Sequence, residues 1–174
     1  MAASESIPNR LHFVWFGEQL PCFAMLALKS ARAKNPSATV KLWHDARLRL
    51  DARVDSLGTA GVELVPLDVD ALLSEALAAA AAPRALESIW RVLTAPAARS
   101  NVVRLLILYL EGGIYLDTDT LTLQNLDALR QDSAFCGLEH ILWSTPRLNK
   151  RRPYYWTLGP LLSGLRLAAG HWKQ

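Results

Sequence analysis

The chain has 174 residues, of which 51% are hydrophobic and 20% charged, and its net charge is +3. This length predicts a single domain over residues 1–174 that buries a sizeable core. The excess of positive charge is small and scattered, which argues against a basic nucleic-acid face, and the longest apolar run, residues 105–110, is too short for a transmembrane segment.

The first part of the chain alternates strand and helix patterns. A β-rich segment at 11–17 stops at a glycine and predicts a strand. Residues 21–36 are bracketed by prolines, have apolar spacing near 3.6, and predict a helix. Two further strands are predicted at 39–45 and 62–68, with a helix over 46–57 between them. This order predicts an α/β fold with a parallel sheet and helices on its faces.

The second part begins with an alanine-rich stretch. Residues 68–95 predict two helices that are divided at Pro83. Residues 96–113 predict another helix, because proline stands near its start and glycine at its end. A strand is predicted at 113–123, and a further strand is possible at 133–139.

Three predicted strands end in residues that are typical of binding sites. Ligands of open parallel sheets bind outside the carboxyl ends of the strands. The first strand ends in Trp15-Phe16-Gly17, the second in Trp43-His44-Asp45, and the strand after the glycine pair in Asp117-Thr118-Asp119. Trp15 shares a strand face with apolar neighbours, so it is either a core residue or a plate that stacks on a nucleobase.

The stretch GGIYLDTDT, residues 112–120, places two carboxylates close together. On a strand, Asp117 and Asp119 would point to the same face, roughly 7 Å apart. Two ionised carboxylates at that distance repel each other unless a cation lies beside them, and oxygen ligands favour Mg²⁺ or Mn²⁺. The alternative is a solvent-exposed β-turn with two incidental aspartates.

Polar residues interrupt the apolar helix that precedes this motif. Ser100, Asn101 and Arg104 are spaced by three and four residues, which places Arg104 beside both others on one stripe of the helix. Such a stripe faces either water or a ligand. In the second case, the arginine offers a fixed charge to phosphate or sugar oxygens.

Three segments, IPNRLHFVWFG, VKLWHD and ARSNVVRLLILYLEGGIYLDTDT, resemble in order the motifs of the DXD-containing sugar-binding-region glycosyltransferases. That family includes Golgi-type mannosyltransferases and the catalytic domains of clostridial glucosylating toxins. The resemblance spans residues 7–139. It implies a GT-A-like fold with a mainly parallel, Rossmann-like sheet. It also implies a UDP- or GDP-sugar donor, Mn²⁺ (or Mg²⁺) as cofactor, and retaining transfer of a hexose to a glycan, lipid or protein acceptor.

The resemblance also implies a role for individual residues. Trp15 matches the tryptophan that stacks on the base, Tyr115 the tyrosine next to the donor, and Arg104 the arginine that contacts the donor. Asp119 matches the carboxylate that binds metal directly, and Asp117 the one that acts through water or ribose. The implied donor-binding residues are Trp15, Ser100, Asn101, Arg104, Tyr115 and Asp117; the implied catalytic residues are Asp117, Asp119 and Arg104.

The sequence departs from the family pattern at two places. Asn101 stands where the family usually has an aspartate that helps to hold the sugar. Residues 140–174 do not resemble the family's continuation, so 7–139 is interpreted as the donor-binding half and 140–174 as a divergent or truncated segment that leaves the C-terminal part of the fold incomplete. We therefore expect weak donor binding and slow transfer or none.

Two other functions fit the same residues. One is a nucleotide-sugar-binding remnant of this family without activity. The other is a haloacid-dehalogenase-like phosphatase, in which Asp117 would be the nucleophile and Asp119 the general acid. That motif normally lies near the N-terminus, and no later acidic pair follows here.

The cysteines and the N-terminal residues bear on location. Cys22 and Cys136 are the only cysteines, and they form neither a disulfide framework nor a zinc motif. The first ten residues lack the apolar core of a signal peptide. Both observations favour the cytoplasm, and a secreted effector is the alternative.

Overall fold

The structure is a computed structural model that describes residues 6–79 and 85–137. This part of the chain alternates strands and helices. The elements are β1 (Arg10–Trp15), α1 (Cys22–Lys34), β2 (Thr39–His44), α2 (Ala52–Thr59), β3 (Val62–Pro66), α3 (Val69–Ala78), α4 (Ala85–Val92), α5 (Pro96–Glu111), β4 (Ile114–Tyr115) and a 3₁₀-helix (Asp127–Gln131). They all lie within a compact unit formed by Met1–Phe135.

The four strands form one parallel sheet in the order β3-β2-β1-β4. Side chains alternate between its faces along each strand. On β1, Leu11 and Phe13 enter a core that α1 and α2 cover. Val14 points to the other face and packs with Val103 and Ile107 of α5. The predicted α/β class, with a parallel sheet and helices on both faces, is therefore confirmed.

Two helix predictions differ from the structure. The helix expected over 46–57 begins only at Ala52, because the Asp51 side chain accepts hydrogen bonds from the N–H groups of Arg53 and Val54 and caps α2 there. The stretch 68–95 contains α3 and α4, as expected, whereas the break predicted at Pro83 lies outside the described residues.

The strand predicted over 113–123 is wrong for most of its length. Only Ile114–Tyr115 are assigned to β4, and the Leu116 N–H adds one more hydrogen bond, 2.9 Å long, to the carbonyl of His12. The chain then turns, because the N–H and the hydroxyl of Thr120 both donate to the Asp117 carbonyl, at 3.1 and 2.7 Å. After the turn, the Thr122 N–H donates to Ser30 of α1 instead of to a strand.

The C-terminal predictions are tested only in part. Residues 133–137 form no strand, and the remainder of the predicted strand 133–139 lies outside the described residues. The same applies to the divergent segment 140–174. Within the described ranges, no helix combines the length and the apolar character that crossing a membrane requires.

Candidate functional site

A tight glycine turn connects α5 to β4. Gly112 and Gly113 have φ angles of 65° and 88°, a region that side chains other than glycine rarely adopt. A Cβ atom on Gly113 would lie 2.7 Å from the Arg10 carbonyl oxygen and 2.9 Å from Nε2 of His12. The chain can therefore reverse closely against β1, which brings Tyr115 back alongside the polar stripe of α5.

Tyr115 contacts two residues of that stripe. Its hydroxyl lies 3.1 Å from the Ser100 hydroxyl, and either group can donate. The Arg104 guanidinium carbon lies 4.9 Å from the centre of the tyrosine ring, within the range of a cation–π interaction. Burial raises the pKa of the Tyr115 phenol, which therefore stays protonated at neutral pH.

Arg104 also contacts Asn101 and Asp117. One guanidinium nitrogen donates to the Asn101 side-chain oxygen, and the other lies 3.8 Å from a carboxylate oxygen of Asp117. The arginine side chain keeps 32% of its surface exposed, and its five N–H groups exceed these contacts. The guanidinium is thus oriented by its neighbours and is still able to bind an anion.

Asp117 and Asp119 are both exposed, and they lie on the turn that follows β4. The expectation that they share one strand face is wrong, and the exposed-turn alternative describes the local backbone. Water and Arg104 relieve the cost that two charges at a buried strand end would carry. The turn alone does not show whether the aspartates bind a ligand.

The acidic groups suit only one kind of metal site. No group of three or more metal-binding side chains occurs in the described part of the chain. Among the described residues, a site on the turn would therefore have at most the two aspartates as ligands. Mg²⁺ and Mn²⁺ fit this set, since they commonly bind through one or two carboxylates and complete their shell with water and phosphate oxygens.

Trp15 lies on the other face of the sheet from Tyr115. It packs against the core beneath α1, and its ring meets that of Phe23 edge-on with centroids 6.4 Å apart. Its indole nitrogen is buried without a hydrogen-bond partner among the described residues. The structure thus brings Ser100, Asn101, Arg104, Tyr115 and Asp117 together but does not join Trp15 to them.

Asp45, at the end of the second strand, has a carboxylate that is already engaged by a neighbouring residue. The Asp45 carboxylate accepts hydrogen bonds from the backbone N–H and the guanidinium of Arg47, at 2.6 to 3.1 Å. Its charge is therefore already paired within the loop. Trp43, on β2, is a core residue.

His12 was not predicted as a site residue. It is fully buried on β1. The Trp43 indole N–H, which can only donate, lies 3.2 Å from Nδ1, so Nε2 carries the hydrogen and donates to the Gly112 carbonyl at 3.1 Å. Burial lowers the pKa of His12 from 6.5 to about 4 and keeps the ring neutral. Strand alternation placed His12 on this face, but only the register of β4 shows that it meets the glycine turn.

Known proteins match the chain both in sequence and in fold. Residues 21–136 match the family described as "Glycosyltransferase sugar-binding region containing DXD motif". The "PaToxG Glycosyltransferase" structure superposes with a TM-score of 0.55 at 19% identity, covering 70% of this chain and 45% of that one. The ligand-free glycosyltransferase domain from the YGT toxin gives 0.50 at 18% identity, with coverages of 67% and 40%.

Both solved structures are longer than this chain. At such identities the two solved structures support the fold, and the chain spans less than half of their length. No curated protein matches the sequence significantly.

Proposed function

Since the chain belongs to the family of glycosyltransferase sugar-binding regions that contain a DXD motif, we propose that it transfers a sugar from a nucleotide-sugar donor to an acceptor. The observation that carries this proposal is the contact of Arg104 with Tyr115 and with Asp117, the first aspartate of the D-x-D turn. The family match also favours this function over the phosphatase alternative.

Arg104 is the proposed anchor for the donor. Its guanidinium is oriented by an aromatic ring, an amide and a carboxylate, and it retains free N–H groups for phosphate or sugar oxygens. The protonated Tyr115 hydroxyl and Ser100 add neutral hydrogen-bonding groups at the same place. A UDP- or GDP-sugar has the anionic diphosphate and the hydroxyl groups that such a site recognises.

Asp119 and Asp117 are the proposed ligands of Mn²⁺ or Mg²⁺. Their exposed carboxylates fit a cation that takes its remaining ligands from water and the donor's phosphates. When bound, such a cation supplies positive charge where the leaving diphosphate becomes more negative. Arg104, on the adjacent helix, would stabilise the same negative charge of the diphosphate.

The transfer of a hexose and the retention of anomeric configuration are proposals that come from the family resemblance. Both can be read from one experiment. NMR spectroscopy of the first product formed distinguishes the α from the β anomer and identifies the sugar. An inverted product would contradict the retaining mechanism without contradicting transfer.

Donor binding is tested first by thermal shift with UDP-, GDP- and CMP-sugars, with and without Mn²⁺. A ligand that binds only the folded state raises its stability, by about 2.7 kcal/mol at a hundredfold excess over the dissociation constant. Arg104→Lys should weaken binding about tenfold, because a lysine cannot reproduce the planar fork of donors. Arg91→Lys, at an exposed pair with Glu87, is the matched control. If no donor raises the melting temperature, the proposed function is wrong.

Asn101 bears on the alternative, an inactive nucleotide-sugar-binding protein. It replaces the aspartate usual in the family, and its amide oxygen accepts a hydrogen bond from Arg104. Asn101→Asp should strengthen donor binding by roughly 1 kcal/mol, because a carboxylate accepts stronger hydrogen bonds from sugar hydroxyls. Calorimetry measures this change, and a turnover assay on the same protein separates binding from transfer. Robust transfer by the unchanged chain would exclude the inactive alternative.

We propose the cytoplasm as the location of the chain. Cys22 and Cys136 are exposed free thiols, which a reducing compartment preserves. A secreted effector is the alternative, and one of the two structural neighbours is itself described as a toxin domain. Fractionation of the producing cells and their medium distinguishes the two locations.

A further inference from the structure

His12 connects three parts of the molecule through its ring. Nδ1 accepts from Trp43 on β2, Nε2–H donates to the carbonyl of Gly112, and the ring itself belongs to β1. A fully buried polar ring costs free energy unless both nitrogens are paired, and here both are. The arrangement therefore specifies one tautomer and one ring orientation.

The same residue holds both ends of the segment that leads into the site. Its ring binds Gly112, and its backbone carbonyl accepts from the Leu116 N–H at 2.9 Å. Gly113 and Tyr115 lie between these two anchors. Gly113 lies so close to His12 that a Cβ atom would not fit, so the segment has little freedom to move toward β1.

We propose that His12 is a positioning residue of the donor site, which fixes the Gly112–Gly113 turn and thereby the place where Tyr115 and Asp117 meet Arg104. The expected effect on donor affinity rests on the proposed function. The expected effect on the position of the turn does not. The His12 ring makes no described hydrogen bond to Arg104 or to the D-x-D carboxylates, and the His12 backbone pairs with Tyr115 in the sheet.

Charged groups lie near the His12 ring, and the ring nevertheless stays neutral. Lys41 lies 2.7 Å from the Glu111 carboxylate, and Arg10 lies 3.6 Å from it. Glu111 raises the pKa of His12, whereas Lys41, Arg10 and, above all, burial lower it. The ring therefore keeps one donor and one acceptor throughout the neutral range, as the two hydrogen bonds require.

Three variants test the proposal. His12→Gln retains an amide N–H that can donate to Gly112, whereas His12→Phe fills similar space without hydrogen-bonding groups. Val62→Ala is the matched control, because Val62 is buried in the same sheet but lies on β3, in the core on the opposite face from Tyr115. Amide hydrogen exchange is measured without ligand, and the affinity for UDP and for GDP, each with Mn²⁺, by calorimetry.

We expect a selective effect of His12→Phe. Amides of residues 113–118 should exchange about tenfold faster relative to those of Phe13 and Leu42, since local opening is then uncoupled from global unfolding. Nucleotide affinity should fall about tenfold, which corresponds to about 1.4 kcal/mol. His12→Gln should restore both to within about threefold of the original protein. Val62→Ala should accelerate all of these amides in proportion and leave affinity unchanged.

The contrary result is a proportional acceleration in His12→Phe, as in Val62→Ala, with unchanged affinity; the ring would then only fill the core. If the unmodified chain binds neither nucleotide, the proposed function fails. The exchange data then still test whether His12 holds the Gly112–Gly113 turn in place. Should His12→Phe not fold, Trp43→Phe removes the N–H that fixes the tautomer. It should loosen residues 113–118 selectively, and a uniform effect would overturn the proposal.

Discussion

Arg104 is paired with an exposed carboxylate, and this affects how the site can work. The Asp117 side chain is 59% exposed, and its nearest oxygen lies 3.8 Å from the guanidinium. Pairs of this kind contribute about 0–1 kcal/mol. Asp117 can therefore leave Arg104 for a cation, and Arg104 can exchange Asp117 for a phosphate, at little cost in stability.

Asp119 is the residue at which metal binding is tested most directly. Asp119→Asn should abolish Mn²⁺-dependent donor binding, because the amide is a poor ligand for a hard cation. The free energy of unfolding should change by less than about 0.5 kcal/mol, since the side chain is exposed on a turn. Calorimetry with and without Mn²⁺ measures the first effect, and denaturant titration the second.

The control for this prediction is Asp132→Asn, which removes an exposed carboxylate away from the turn. It should leave Mn²⁺ dependence intact. Unchanged Mn²⁺ dependence in Asp119→Asn would contradict the assignment of Asp119 as a metal ligand.

Trp15 allows the core and the base-stacking interpretations to be separated. Because the ring packs beneath α1, Trp15→Ala should lower the free energy of unfolding by about 3 kcal/mol. If the indole also stacks on the base, donor binding weakens by roughly 1–3 kcal/mol as well. Both quantities are measured on the one variant. A loss of affinity without loss of stability would show that Trp15 belongs to the donor site and not to the core.

At the scale of elements, the unit that builds the site is α5, the glycine turn and β4. Gly113→Ala places a Cβ atom against the Arg10 carbonyl and the His12 ring at a φ of 88°. We expect a loss of stability of about 1–3 kcal/mol and a loss of donor binding, because the turn must shift. Thermal unfolding and calorimetry measure the two effects.

The matched change is Gly58→Ala in α2, where a Cβ atom meets nothing within 4 Å. Alanine is favoured over glycine within a helix, so stability should rise by about 0.5–1 kcal/mol with unchanged donor binding. Equal behaviour of the two variants would mean that the turn does not depend on its glycine.

Hydrophobic periodicity predicted the strands and helices that pack in the core. It failed where hydrogen bonds of polar side chains determine the backbone conformation. Strands β1, β2 and β3 and helices α1 and α5 were predicted within a few residues, since burial imposes their pattern. The alternation in 113–123 was read as a strand, yet the Asp117–Thr120 hydrogen bonds and the contact with Ser30 end it after two residues. Such bonds depend on tertiary context, which periodicity does not contain.

The site was predictable to the extent that one helix stripe and one motif form it. Spacing placed Ser100, Asn101 and Arg104 together, and the resemblance added Tyr115 and Asp117; the structure joins all five. Trp15 was assigned to the same site, although strand alternation places it on the opposite face. His12 was missed, because its partners Trp43 and Gly112 are distant in sequence.

At the scale of the whole molecule, the burial of His12 makes the stability of the fold depend on pH. Its folded-state pKa is about 4 against 6.5 in the unfolded chain. Above pH 6.5 the ring is neutral in both states, so its burial carries no ionisation cost. As the pH falls from 6.5 to about 4, only the unfolded chain gains the proton, and stability is lost. Below about 4 the loss is complete, and its size is on the order of 3 kcal/mol.

Two other described groups also have shifted pKa values. Hydrogen bonds from the Val54 N–H and from Arg53 lower the pKa of Asp51, and burial raises the pKa of Tyr115. Denaturant titrations between pH 4 and 7 should therefore show a stability slope that His12→Gln removes, since its amide does not titrate. A slope that persists unchanged in His12→Gln would assign the acid sensitivity to other groups and would contradict a neutral, buried His12 at the glycine turn.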